Sequence, residues 1–402
     1  MAVFITSCSQ TTSPDHKNGK QGDDSMLPWL STSGHKIVDD TGQQVILHGV
    51  NRSGLEYDRI GGNRINKQEI DHICNEWQAK IIRLPFNQEW MTNNVIYQQK
   101  IDEIIGWIKK HGVYILLDLQ WENESVKIPA IPNEQAITMW RDIAFRYKDE
   151  PAVLYDIHNE AHDIDFNSWR NRAVQIIESI QEVHPKALIL VSGLNWASDI
   201  SMWASNPLDH QNIVYSVHVY PNWGGSSTWD RRFGNFSQNI PIFCGEFGGE
   251  DQDIQWGKDL IRYLYQHRLG WCAWSWVDWP HLTDRDDHLT PTPFGSLVKS
   301  YLQRFSLLDS LQNQIINLRF SFVEATRATI TWETEWESDS KVLYGTSSAY
   351  TDSIYAAALL KNHMIKLDNL QPGTTYHLQA ISADELGITI SSRDTLFITL
   401  TQ

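Results

Sequence analysis

The chain is short of cysteine, short of basic residues and without a long apolar run, and each shortage removes a class of protein. Its four cysteines, Cys8, Cys74, Cys244 and Cys272, are spread over 402 residues. They form no dense disulfide framework and show no zinc-ligand spacing. Cys244 and Cys272 fall in apolar segments that read as neighbouring strands, as two small buried residues or as one disulfide. Lys and Arg number 33 against 49 Asp and Glu, a formal net charge of -16. Such a surface repels a phosphate backbone, so nucleic acid is not an expected partner. After the first residues no run approaches the roughly 18 apolar residues of a membrane span. The acidic stretch Asp284-Arg285-Asp286-Asp287 matches no calcium loop and reads as a solvated loop. Neither a metal nor an organic cofactor is expected.

What remains is a largely globular chain, 41% hydrophobic and 20% charged, long enough for one large domain and one small one. Its 18 tryptophans suit both cores and flat, sugar-stacking surfaces. At the start, Ile5-Thr6-Ser7-Cys8 resembles a bacterial lipoprotein cleavage box, with Cys8 as the lipid-bearing residue. The stretch before it is short and has no basic start, so a plain apolar beginning is the rival reading. Residues 9–25 are polar and read as a flexible tether, so residues 1–25 form a first segment.

From about 35 to 305, apolar runs alternate with amphipathic stretches. The runs at 45–50, 80–84, 113–119, 153–158, 188–191, 214–219, 242–245 and 271–275 are rich in Val, Ile and Leu, and read as buried strands. Between them, Ile101, Ile104, Ile105 and Ile108 share one helical face, as do Ile137, Trp140, Ile143 and Ala144, with Asn133 as a cap. Eight strands with intervening helices predict a (β/α)8 TIM barrel over 26–310. A doubly wound sheet would carry a Gly-rich phosphate loop after its first strand, and Asn51-Arg52-Ser53-Gly54-Leu55 is not one. A hairpin at 35–44, turning at Asp40-Thr41-Gly42, is expected to close the barrel floor.

After about 310 the period changes to two, as in Ala328-Thr329-Ile330-Thr331-Trp332. Further strands are expected at 341–344, 363–367, 375–382 and 395–399, which predicts a C-terminal all-β, immunoglobulin-like sandwich over 311–402. Leu370-Gln371-Pro372-Gly373-Thr374-Thr375-Tyr376 resembles the fibronectin type III signature, and Thr331-Trp332 resembles its early tryptophan strand.

In a β/α barrel, chemistry sits where the strands end. Those ends carry Arg83 on strand two, Asp118 and Gln120 on three, His158, Asn159 and Glu160 on four, His218 and Tyr220 on six, Glu246 on seven, and Trp274 and Trp276 on eight. Two carboxylates from strands four and seven then face one cleft. Glycoside cleavage needs such a pair, one protonated to assist the leaving oxygen and one ionised to attack the anomeric carbon. Hydrogen bonds from Arg83 and Tyr220 are expected to keep Glu246 ionised, and loss of solvent to raise Glu160.

Tyr155-Asp156-Ile157-His158-Asn159-Glu160 and Phe243-Cys244-Gly245-Glu246-Phe247-Gly248 together resemble glycoside hydrolase family 5, the cellulase and mannanase family of β/α barrels. The resemblance runs over about 270 residues. His48-Gly49-Val50-Asn51, Ile82-Arg83-Leu84-Pro85, Ser216-Val217-His218-Val219-Tyr220 and Ala273-Trp274-Ser275-Trp276 support it, in order and at barrel spacing. It implies Glu160 as acid/base, Glu246 as nucleophile and Asn159 on the sugar 2-hydroxyl. It also implies Arg83, His218 and Tyr220 as supports of the two glutamates, and Trp274 as the sugar platform. Two positions depart from the pattern. Gln120 stands where many members carry His, and Gln can hydrogen-bond a sugar hydroxyl but cannot hold a proton near neutral pH; Ala161 stands where Pro is frequent.

Trp274 is preferred to Trp276 as the platform. Trp121, Trp223, Trp229 and Trp279 lie in strand-end loops as candidate outer subsites, and His158 and His162 sit beside the acid/base. The function expected is a retaining endo-β-1,4-glycanase without cofactor, acting on β-glucan first and β-mannan second. It is expected to act as a monomer, outside the cytoplasm, secreted or anchored as a lipoprotein. The rival of another class is a surface lipoprotein that binds glycans without cutting them.

Overall fold

The computed structural model describes residues 27–59, 64–309 and 315–401. Cys8 and the tether read at 9–25 lie outside the described residues. The described chain enters as a hairpin, β1 (Ser31–Ser33) against β2 (Lys36–Val38). Its turn is at Gly34, whose φ of +59° favours glycine. The hairpin thus begins earlier than the expected 35–44. The Asp39 carboxylate accepts the amides of Thr41 and Gln43, and so closes the Asp-Thr-Gly turn as a capped loop, with a single bridge from Val38 to Gln44.

Eight parallel strands follow and close a barrel: β3 (His48–Asn51), β4 (Ile81–Asn87), β5 (Tyr114–Trp121), β6 (Val153–Asp156), β7 (Ile189–Ser192), β8 (Ile213–Val219), β9 (Ile242–Phe247) and β10 (Gly270–Ala273). Neighbours pair in chain order, and β10 returns to β3. Asparagine and aspartate start several intervening helices: the side chains of Asn66, Asn94, Asn133 and Asp165 each accept an amide of the first turn. The helix Val95–Lys109 buries Ile101, Ile104, Ile105 and Ile108 against the barrel.

Side chains at alternate strand positions fill the barrel. At its lower end Leu30, Leu47, Ile81, Leu116, Leu154, Leu190, Val214, Phe243 and Cys272 pack together, with Ile37 and Val45 of the entry segment against them. Each such aliphatic side chain contributes about 1.5–3 kcal/mol on burial. This layer is the floor on which the polar layer rests. Cys244 and Cys272 lie on adjacent strands, buried and free, so the disulfide alternative does not occur. No helix of the described residues is long and apolar enough to cross a membrane.

Beyond the helix Pro293–Asp309 the described chain is mostly strand: β11 (Ile316–Val323), β12 (Ala328–Gly345), β13 (Asp352–Leu367), β14 (Thr375–Ala383), β15 (Thr389–Ser391) and β16 (Thr395–Ile398). They form one antiparallel sheet in the order β11-β12-β14-β15, with β13 on β12 and β16 on β14. The two strands expected at 328–332 and 341–344 are one long strand. The polar stretch between them keeps the alternation by burying hydroxyls: Thr334 and Ser340 flank the buried His363 ring at 2.9 and 2.8 Å, and Trp332 stacks on it.

This sheet is fastened to the barrel. Asp384 pairs with the buried Arg304 of the last barrel helix. Tyr301 donates to Glu385 at 2.9 Å and Arg262 to its carbonyl at 2.7 Å, while Leu386 and Ile388 join the barrel's own apolar core.

Candidate active site

Above the apolar floor the inward positions turn polar. The fully buried Arg83 on β4 is their hub. Its Nε donates to Asp156 on β6 at 3.0 Å, its Nη1 to Asn51 on β3 at 2.9 Å and to Glu246 on β9 at 2.7 Å. Its Nη2 donates to Asn159 at 2.9 Å and lies 3.0 Å from Asp118 on β5. Burial opposes the guanidinium charge, but Asp118, Asp156 and Glu246 outweigh it and hold Arg83 above its ordinary range. Burial also lifts both aspartates, Asp156 to about 6 and Asp118 well above the usual carboxylate range, with Arg83 pulling them back.

Glu246 is clamped on both oxygens. Arg83 holds Oε1, and the Tyr220 hydroxyl donates to Oε2 at 2.8 Å. Burial and the nearby Glu246 and Glu160 push the Tyr220 phenol well above its ordinary value, so it stays a donor. Glu160 has a different environment. Burial raises its carboxyl to about 7, against the pull of Arg83 and His162. Its Oε1 lies 2.8 Å from His218 Nδ1. Burial lowers His218 to about 4, so the imidazole is neutral and, with its proton on Nδ1, donates to Glu160. Gly245 leaves room for that ring: a Cβ there would stand 2.5 Å from Ser216 Oγ and 3.0 Å from His218 Nε2.

Glu160, His218 and Glu246 offer ligand atoms within 4.8 Å of one another, the one such group among the described residues that could hold a metal ion. Arg83 already supplies positive charge against Glu246, and Glu160 is pushed toward its neutral form, so the group is better suited to moving a proton than to binding a cation.

The family model for cellulase, glycosyl hydrolase family 5, matches residues 38–279, more than half of the chain. The chain belongs to glycosyl hydrolase family 5. Among curated relatives it is similar to endoglucanase N of Pectobacterium atrosepticum, 29% identical over 259 residues, covering 62% of this chain and 57% of that one. It is also similar to endoglucanase E-5 of Thermobifida fusca, 25% identical, covering 62% and 56%. The chain thus spans about half the length of the curated relatives it matches. Among solved structures, the barrel is similar to the catalytic domain of Thermobifida fusca endoglucanase Cel5A in complex with cellotetraose. That likeness has a TM-score of 0.61 and 22% identity, covering 69% of this chain and 98% of that one. A β-glucanase of Saccharophagus degradans in complex with cellotetraose gives 0.63 and 22%, covering 70% and 94%. These structures share the fold.

Around the two glutamates of this family 5 barrel, the structure gathers Arg83, Asn159, His218 and Tyr220 in one network. Asn159 spends its oxygen on Arg83, which leaves its amide NH2 to donate. Gln120 lies one inward position above Asp118, 7% exposed, with its Oε1 unpartnered. Trp274 follows β10, and its indole NH donates to the Trp279 carbonyl at 3.0 Å.

Trp276 is not at the site. The strand ends at Ala273, so the alternation that would align Trp276 with Trp274 does not continue. Trp276 is fully buried against Trp77, and its indole NH donates to the His288 carbonyl. Trp229 is likewise core, packed on Trp256 and Tyr263. Trp121 is the last residue of β5 rather than in a loop and packs beside Tyr57, and Trp223 and Trp279 line one cleft. His158 is buried against Trp169 and pushed down to about 3 by burial, which makes it structural.

Three residues carried no role in the sequence: Asn51, Asp156 and Trp196. Asn51 and Asp156 hold Arg83 together with Asp118, which the sequence placed at a strand end without a role, and their signal was the inward alternation of polar residues at strand ends. Trp196 is 40% exposed and stacks flat on His162, with ring centroids 4.9 Å apart. Its amide bonds the Ala161 carbonyl, next to Glu160. It is presented by three residues in left-handed conformation, Asn195 to Ala197, which no apolar periodicity marks.

Proposed function

We propose that this family 5 chain is a retaining endo-β-1,4-glucanase, with Glu160 as general acid/base and Glu246 as nucleophile. The observation that carries the proposal is the contrast between two adjacent carboxyls. Glu246 is held on both oxygens by hydrogen-bond donors, Arg83 and Tyr220, whereas Glu160 has no such clamp and burial drives it to about 7. Spacing supports retention. One oxygen of each lies within 4.8 Å of the other, in keeping with the separation of about 5–5.5 Å that a direct displacement needs and short of the about 6.5–9.5 Å that leaves room for an inverting water.

In the first step Glu246 Oε attacks the anomeric carbon while Glu160 gives its proton to the departing glycosidic oxygen. A glycosyl ester forms on Glu246, and the chain beyond leaves as a neutral alcohol. In the second step Glu160, now ionised, takes a proton from water, which attacks the same carbon and frees Glu246. His218 follows this change by donating to Glu160 when it is ionised. The Asn159 amide suits the sugar 2-hydroxyl, Gln120 Oε1 another hydroxyl, and Trp274 the ring face. β-Glucan is preferred as substrate, since the relatives are named endoglucanases and two related folds were solved with cellotetraose. β-Mannan is the alternative.

A polymer substrate too large to enter a cell fits a protein acting outside the cytoplasm. The six-stranded segment reads as a fibronectin type III-like sandwich, because the Tyr376 hydroxyl takes the Gln371 amide at 2.9 Å, as in the tyrosine corner of such sandwiches. The test of function is reducing-end release from soluble β-glucans, glucomannan, xyloglucan and xylan, with Glu246→Ala as control. Cleavage of a β-glucan by wild type alone supports the proposal. Oligosaccharide binding without cleavage would make this a binding protein.

A further inference from the structure

A cavity opens beside Tyr220, the hydroxyl partner of Glu246, and the mechanism makes no use of it. It encloses about 470 Å³ between the loops after β8, β9 and β10, within the about 300–1,000 Å³ of ligand sites. Its wall begins at the reacting centre. Tyr220, whose hydroxyl holds Glu246, lines it, and so does Gly248. Gly248 packs closely on the chain beyond β10: a Cβ there would lie 2.7 Å from the Trp274 backbone carbonyl oxygen, 3.0 Å from Pro280 and 3.4 Å from the Tyr220 ring.

Two tryptophans line the cavity. Trp279 is 61% exposed, an unusual position for a large ring, and is fixed rather than loose, since its indole NH donates to Glu250 at 2.7 Å. Trp223 has Arg232 over its ring, 4.8 Å from the centroid, and the Trp256 indole ties down the adjoining Gly224 carbonyl. The polar lining is Asn222, Glu250 and Asp253. Hydrogen bonds from Trp279 and Gln252 hold the Glu250 carboxyl below its ordinary range. Aromatic rings with fixed acceptors suit a neutral ring that carries hydroxyls, and the carboxylates repel an anionic one.

We propose that this cavity receives a neutral glycosyl branch, carried by the backbone sugar at or next to the cleavage point, so that the preferred substrate is a branched rather than a linear β-glucan. The proposal rests on the glucanase reading above and names its substrate class more closely.

The test compares kcat/KM on a cello-oligosaccharide with kcat/KM on the same backbone carrying α-1,6-xylosyl branches, for wild type, Trp223→Ala and Trp279→Ala. Wild type is expected to favour the branched substrate. Each substitution is expected to lower the branched-to-linear ratio about tenfold, the scale of one lost pocket contact. The ratio is insensitive to the fraction of folded enzyme. An unchanged ratio, or a wild type that cuts only the linear substrate, overturns the proposal and leaves the glucanase reading standing. A wild type that cuts neither overturns the glucanase reading. Calorimetric binding of the branched oligosaccharide to Glu246→Ala, with and without Trp279→Ala, then decides the cavity alone: about tenfold weaker binding in the double variant supports it, and equal or absent binding overturns it.

Discussion

Replacing Arg83 by methionine, which keeps the stem and removes the charge, should damage stability and activity together, and in a pH-dependent way. The guanidinium is fully buried and pairs with Asp118, Asp156 and Glu246 while donating to Asn51 and Asn159. Breaking a buried ion pair from one side costs about 3–5 kcal/mol, because the other charge stays buried. At about 2–4 °C per kcal/mol for a domain of this size, the melting temperature should fall on the order of 10 °C. The sign of the pH effect follows from the carboxyls left behind. Asp156 stands at about 6 even with Arg83 present, and removing the cation raises it and Asp118 further. Groups whose folded-state pKa lies above the unfolded value stabilise the fold at low pH and lose that contribution as pH rises through the folded pKa. The deficit relative to wild type should therefore be small near pH 5 and largest near pH 8. Activity should fall about 10²–10³-fold or more, since Glu246 loses a fixed donor. Melting by circular dichroism across that range, with kcat/KM on an aryl cellobioside, measures both. A deficit that is flat with pH, or largest at pH 5, would refute the reasoning.

Other consequences are as direct. Glu160 at about 7 predicts that kcat/KM falls tenfold per unit above about pH 7, as the acid form is lost, and that Glu160→Gln removes this limb; a limb that persists in the variant would belong to another group. Trp274→Ala should lower kcat/KM by about tenfold or more on oligosaccharides and on a short aryl glycoside alike, since both place a sugar at the scissile site; an aryl glycoside left unaffected would argue against a platform there. Asp384→Ala removes the nearer partner of the buried Arg304, leaving it Glu385 at 3.8 Å, and frees the amides of Leu386 and Ile388; it should lower stability by about 3–5 kcal/mol, read in denaturant melts, with kcat per folded molecule unchanged. A stability equal to wild type would mean the sheet is not fastened there.

The barrel was legible because its strands are buried on both faces and so read as continuous apolar runs. All eight overlap the expected ranges, from the run at 45–50, now β3, to that at 271–275, now β10. The candidate site was legible for the same reason: Arg83, Glu160, His218 and Glu246, which the structure brings together, stand where apolar runs break into polar residues. Legibility fails where alternation stops being the rule. Trp276 was read as an extension of β10, but the chain has left the strand by then, and its ring faces Trp77. Trp229 sits on a short helix after β8, and only packing distinguishes a core indole from an exposed one. Trp196 depends on a left-handed turn formed without glycine. In the C-terminal sheet, Thr334, Ser338 and Ser340 are buried polar residues that break the apolar pattern, so one strand was read as two.

The central claim is that Glu246 attacks and Glu160 moves the proton, and azide rescue tests it most directly. With an activated aryl β-cellobioside, Glu246→Ala should give the α-glycosyl azide, because azide enters the empty nucleophile position. Glu160→Ala should give the β-glycosyl azide, because azide then attacks the ester on Glu246 from the face that water uses. The reverse pattern of anomers, or the same anomer from both variants, would contradict the assignment.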